Sequence, residues 1–180
     1  MVRYRAYLDW LPEEVRVLAV GESPPPGRKE TTFYNTSRFD LFRRCMKLVA
    51  GVEGDADLLA LFKSSGIFVT AAVKCRPRSR EGVEEMRRSC LPMLRAELRL
   101  LAPRRVVAMG RAASSSVSSL LGVQPPGRLV GVSAAATEGV EVVFTPHPNY
   151  VFRFRRDLVP RLREALFNRP TRPSSASRLK

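Results

Sequence analysis

Four short runs rich in β-branched residues punctuate the chain, at residues 15–20, 66–73, 104–109 and 140–145. Each has the length and continuous apolarity of a strand buried on both faces. Between them the apolar period changes. Phe39, Phe42, Met46 and Val49 recur at helical spacing, and after a turn at 51–55 Leu58, Leu59 and Phe62 mark a second short helix. Val83, Met86, Cys90, Leu94, Leu98 and Leu101 form a longer stripe that Pro92 is expected to kink or divide. Further helices are expected over 112–121 and 158–167, whereas 122–139, rich in Gly, Pro, Ser and Ala, reads as a loop or weak hairpin. Strands alternating with helices imply parallel pairing with right-handed crossovers. The predicted architecture is therefore α/β, a three-layer α/β/α domain over residues 1–168 with a central four-stranded parallel sheet. Residues 169–180 carry four positive charges among Pro and Ser and are expected to form a flexible basic tail.

Composition sharpens this picture in one respect. A chain of 180 residues, 44% hydrophobic, has enough apolar surface for one core. Its 31 Lys and Arg against 17 Asp and Glu leave a formal charge of +14, which points to a polyanionic partner, nucleic acid first. Arg-rich composition is also what a thermophilic habitat or genomic bias produces. Residues 1–11 lack the apolar stretch of a signal peptide, and no run approaches the roughly 20 apolar residues of a membrane span. The expectation is a cytoplasmic monomer, nucleoid-associated in a prokaryote, with no membrane partner. Cys45, Cys75 and Cys90 form no CxxC pair, so no metal site is expected from them. The first loop has neither a GxGxxG nor a Walker pattern, and no small-molecule cofactor is expected.

In an open parallel sheet, ligands bind beyond the carboxyl ends of the strands. Those ends are punctuated by GESPPPG (21–27), TAAVKCRP (70–77), Met109-Gly110-Arg111, and TPHPNY (145–150). A carboxylate, the chain's one His and several hydrogen-bond donors are thereby directed at one crevice. GESPPPG resembles the acidic first motif of the uracil-DNA glycosylase superfamily. GIFVTAAVKCRP is similar to the strand of its thermophilic family written TNxVKCRP, and HPNYVFR to that family's closing HPSY motif. The likeness runs from about Val15 to Phe154.

The resemblance implies a DNA glycosylase that hydrolyses the N-glycosidic bond of a damaged base in base excision repair, on single- or double-stranded DNA. Breaking that bond places positive charge on the sugar and negative charge on the leaving base. By similarity, Glu22 stabilises the sugar cation or orients water, and His147 donates to the departing base. Phe33 matches the aromatic on which an extruded base stacks. Ser23, Pro24 to Pro26, Ser114 to Ser116 and Arg153 are expected at phosphates, joined by Lys74, Arg111 and Asn149, with Tyr150 to Phe152 as a wedge. Each has a plainer reading: Glu22 as a helix cap, His147 as a turn residue, Phe33 as core, the serines as close packing, and Lys74 and Arg76 as solvated charges.

Two positions depart from the family. Ala71 stands where the thermophilic family has its base-reading Asn, and a methyl group neither donates nor accepts. Either Asn35 reads the base, or the pocket takes a different lesion, or DNA is bound without cleavage. Cys75 and Cys90 stand where the last two iron–sulfur ligands would lie, but no upstream pair exists. They are expected as buried thiols or a disulfide.

Overall fold

Alternate residues of a strand point to opposite faces, and here the two faces bury different helices. In the computed structural model, which describes residues 7–24, 33–77, 82–129, 131–137 and 139–168, strand β1 (Val17–Gly21) sends Val17 and Ala19 to one core and Leu18 and Val20 to the other. The first core is completed by α1 (Leu41–Ala50), α2 (Asp55–Ser64) and α6 (Val159–Phe167), through Met46, Phe62 and Leu162. The second is completed by α3 (Val83–Leu101) and α4 (Arg111–Leu121), through Leu94 and Val117. The result is the expected three layers.

The sheet differs from expectation at one edge. Its order is β2 (Ile67–Ala71), β1, β3 (Arg105–Met109), β5 (Val140–Thr145) and β4 (Ser133–Thr137). The first four are parallel, and β4 pairs antiparallel with β5. The sheet is thus five-stranded. β4 reads Ser-Ala-Ala-Ala-Thr and lacks β-branched residues in its interior, so its pairing with β5, rather than local propensity, makes it a strand. HPNYVFR also carries more structure than a loop: His147 caps α5 (Pro148–Phe154), whose first residue is the proline that suits that position. Pro92 neither ends nor divides α3, and its exposure lets water serve the carbonyl one turn earlier. The expected tail at 169–180 lies outside the described residues. No described helix is long and apolar enough to cross a membrane.

Two buried arginines tie loops to this frame. Arg43 of α1 is 1% exposed, and its guanidinium donates to Asp55 Oδ2 (2.8 Å), to the carbonyls of Phe33 and Asn35 (3.0 Å each), and to that of Arg38. A planar five-donor fork can serve an ion pair and several carbonyls together, which a lysine cannot. Asp55 also accepts from Lys47 at 2.8 Å. Partial burial of Asp55 works against its charge, but the bonds from Lys47 and Arg43 outweigh it and hold the carboxyl below its ordinary value. Arg105 of β3 does the same work at the opposite edge, pairing with Glu141 at 2.8 Å and donating to the carbonyls of Ala165 and Asn168 at the end of α6.

Arg105→Ala should lower stability by about 3–5 kcal/mol, because Glu141 and two carbonyls lose their partner in a buried setting. Urea unfolding measures this, and a change below about 1 kcal/mol would contradict it. Asp55 has a depressed folded value, so its stabilisation is present above the unfolded carboxyl value, about 3.9, and is lost as pH falls through the lower folded value. Asp55→Asn should therefore be less stable than the parent at neutral pH, with the gap closing as pH falls below the unfolded carboxyl value in acid titrations of unfolding.

Candidate active site

The carboxyl ends of β1, β3 and β5 lie close together, and three contacts bind them. Glu22 follows β1 directly, and its Oε1 accepts from the N–H of Ala112 (3.1 Å) in the first turn of α4. There it lies over Gly110, the residue between β3 and α4. A Cβ built on Gly110 would come 2.7 Å from Glu22 Oε1 and 2.9 Å from its Cγ, and Gly110 has φ +95°. Only glycine gives the carboxylate this room in that backbone conformation. The N–H of Gly110 in turn donates to the carbonyl of Thr145 (2.9 Å), the last residue of β5, two positions before His147. Among the described residues no further group bonds Glu22.

His147 approaches from the other side. Its Nδ1 accepts from the N–H of Asn149 at 3.2 Å, so the neutral ring carries its proton on Nε2. Its ring centroid lies 5.7 Å from that of Phe42. The Phe42 ring reaches from there to Gly21, where a Cβ would meet its edge at 3.9 Å, and packs edge-on against Phe33 at 5.6 Å. Phe42 therefore joins the end of β1, the imidazole and Phe33. In the sequence it belongs to a helical core stripe, and no local signal separates it from Met46 or Val49. Strands β1 and β5 flank β3, so two strand spacings, about 10 Å, separate the backbones that carry Glu22 and His147.

The remaining expected site residues divide. Phe33 is half-buried between Tyr34, Phe42 and Phe62. Asn35 uses its side-chain oxygen on the N–H and hydroxyl of Ser37, a local turn. Ala71 is half-buried and pairs with Gly21. Ser23 and Pro24 are half-buried beside Glu22, while Pro25 and Pro26 lie outside the described residues. Arg111, Tyr150 and Arg153 are exposed. Asn149 is half-buried and accepts from the Cys45 thiol at 3.4 Å. Phe152 has the guanidinium groups of Arg44 and Arg156 at 5.4 and 4.9 Å from its ring centroid. The exposed Tyr150 and Phe154 rings lie 5.4 Å apart.

Three residues expected at phosphates are buried. Ser114 turns its hydroxyl back to the carbonyl of Gly110 at 2.8 Å, as a serine one turn into a helix does, and Ser116 is fully buried as well. Lys74 is 9% exposed and pairs with Glu97 of α3 at 2.5 Å. Burial lowers its pKa below the ordinary lysine value, and Glu97 opposes that shift. An apolar hollow of about 260 Å³, lined by Leu98, Pro103, Leu121 and Val140, sits at the far, amino edge of β3 and β5.

A four-thiolate cluster does not fit these residues. The chain holds three cysteines. The Cys90 sulfur accepts from the N–H of Lys74 at 3.4 Å, Cys45 bonds Asn149 on the opposite layer, and Cys75 is exposed. All three are free thiols, so of the two alternatives for Cys75 and Cys90 the disulfide is absent, and only Cys90 of that pair is a buried thiol.

Compared with known proteins, the chain matches the family described as the Uracil DNA glycosylase superfamily over residues 8–170. It belongs to that superfamily. It is also 32% identical over 111 residues to a type-4 uracil-DNA glycosylase of Pyrobaculum aerophilum, with 51% of this chain and 54% of that protein covered. The chain thus spans about half the length of this curated relative.

The close approach of Glu22 to Gly110 yields a direct test. Gly110→Ala should cost about 1–3 kcal/mol, from positive φ and the collision with Glu22. Because Glu22→Ala removes the collision, the double variant should lose less stability than the two single variants summed. Strict additivity in urea unfolding would show that the side chains do not compete for this space.

Proposed function

We propose that the protein is a DNA glycosylase that hydrolyses the N-glycosidic bond of a damaged base. The observation that carries this reading is the pairing of a carboxylate and an imidazole at the carboxyl ends of β1 and β5, on either side of β3. One Glu22 oxygen is fixed by the N–H of Ala112, and in this reading the other stabilises the sugar cation or holds the attacking water. His147, accepting at Nδ1, donates from Nε2 to the oxygen of the departing base. Phe33 and Phe42 supply the apolar wall against which a base turned out of the stack would lie. The net charge of +14 and the exposed Arg111 and Arg153 suit the phosphates of DNA.

Ala71 favours a second reading, a DNA-binding or repair-accessory protein without cleavage. The methyl group offers no hydrogen bond to a base edge, and the Asn35 side-chain oxygen is committed to its own turn. A panel of single-lesion oligonucleotides carrying uracil, hypoxanthine, xanthine or an oxidised base, followed by alkali, separates the two. The glycosylase reading expects abasic-site formation on at least one lesion, a loss of roughly 100-fold or more in Glu22→Ala, and gain of uracil cleavage in Ala71→Asn. No product across the panel, together with salt-sensitive DNA binding, would leave the accessory reading standing.

A further inference from the structure

We infer that Lys74, with Glu97 and Thr70, is a positioning device for Glu22 and not a contact to DNA. The inference rests on the glycosylase reading for its effect on rate, but its structural half stands on the turn after β2. Beyond Ala71 the chain continues to bond β1 for two more residues. The N–H of Ala72 donates to the carbonyl of Gly21 (2.8 Å) and that of Val73 to the carbonyl of Glu22 (2.9 Å). Ala72 and Val73 are fully buried, so these amides fix the backbone of the acidic residue with little freedom to shift.

The next residue locks the turn in three ways. The backbone N–H of Lys74 donates to Cys90 Sγ (3.4 Å), and its Nζ donates to Thr70 Oγ1 (2.7 Å) and Glu97 Oε2 (2.5 Å). The Thr70 hydroxyl accepts from Lys74 and donates its own proton to Glu97 Oε2 at 2.9 Å, so the donors and acceptors match. Cys90 and Glu97 stand seven residues apart on α3, two turns along one face. One rigid helix thus grips the turn at its main chain and at its side chain. The staple begins at Thr70 and ends at Lys74, enclosing Ala71, so the same bonds set the rim of the crevice at the position that departs from the family's base reader. Charge-assisted bonds in a buried setting are the strong kind. Their loss releases the turn that holds Glu22 in register with Gly110 and Ala112.

Lys74→Met and the paired Lys74→Met/Glu97→Leu variant, which replaces the ion pair by apolar side chains and keeps the fold if the single change does not, test this. On a cleaved lesion, kcat should fall roughly 10- to 100-fold, with KM and the salt slope of DNA affinity unchanged. Hydrogen exchange at the Ala72 and Val73 amides should quicken at least about 10-fold relative to the β1 and β3 amides, as local opening becomes easier. A rise in KM with a salt slope smaller by about 1 would make Lys74 a phosphate contact and overturn the inference. A loss of stability with unchanged kcat would make the staple structural only and overturn it equally. Should the parent protein cleave no lesion, the glycosylase reading fails by itself. Exchange at Ala72 and Val73 then still decides whether the staple holds the turn, and unchanged exchange refutes it.

Discussion

The buried guanidinium of Arg43 is the interaction on which the rest of the site depends. A charge with 1% exposure is costly unless every donor finds an acceptor. Here the acceptors are Asp55 and the main chain of residues 33–38, so the helix can bury its arginine only if that loop folds back over it. The loop delivers Phe33 against Phe42, and Phe42 delivers its ring to Gly21 and His147. Satisfying one cation thereby orders a wall of three contacts centred on Phe42. The rings of Phe33 and Phe42 are apolar while the anchor that orders them is ionic.

The acidic side of the crevice is arranged by different means. Glu22 sits at the start of α4, where unpaired N–H groups and the helix dipole favour a negative group. That is the plainer reading of the residue, a helix cap, and the structure makes it compatible with the catalytic one. A carboxylate has two oxygens, and the helix takes only one. The cost of the arrangement is carried by the backbone, which must present a glycine at positive φ beneath the side chain.

How much of this could be read from the chain follows from where the information lies. The parallel strands β1, β2, β3 and β5 were legible because buried strands announce themselves as β-branched runs. The helices were legible through their apolar stripes. β4 was not, since Ser-Ala-Ala-Ala-Thr becomes a strand only beside β5. α5 was hidden by two prolines that look like loop punctuation, although one of them opens the helix. Among site residues, Glu22, His147 and Phe33 stood at strand ends or in a recognisable motif. Phe42 and Glu97 did not, because a helical aromatic and a helical glutamate carry no mark of what they face. The pairing of Lys74 with Glu97 was illegible for the same reason: the two lie 23 residues apart on different elements, so the sequence displays the charge and conceals its partner.

The three thiols differ in a way that has a practical side. Burial beside Asp40, opposed in part by Arg44 and Arg153, pushes Cys45 up to about 11, and a protonated thiol is a poor nucleophile. Cys90 is enclosed beneath the turn after β2, whereas Cys75 on that turn is open to solvent. A maleimide dye offered to the native chain should therefore settle on Cys75, one residue from the staple. The natural sequence thus comes equipped with a reporter position beside the candidate site, without any engineered attachment point.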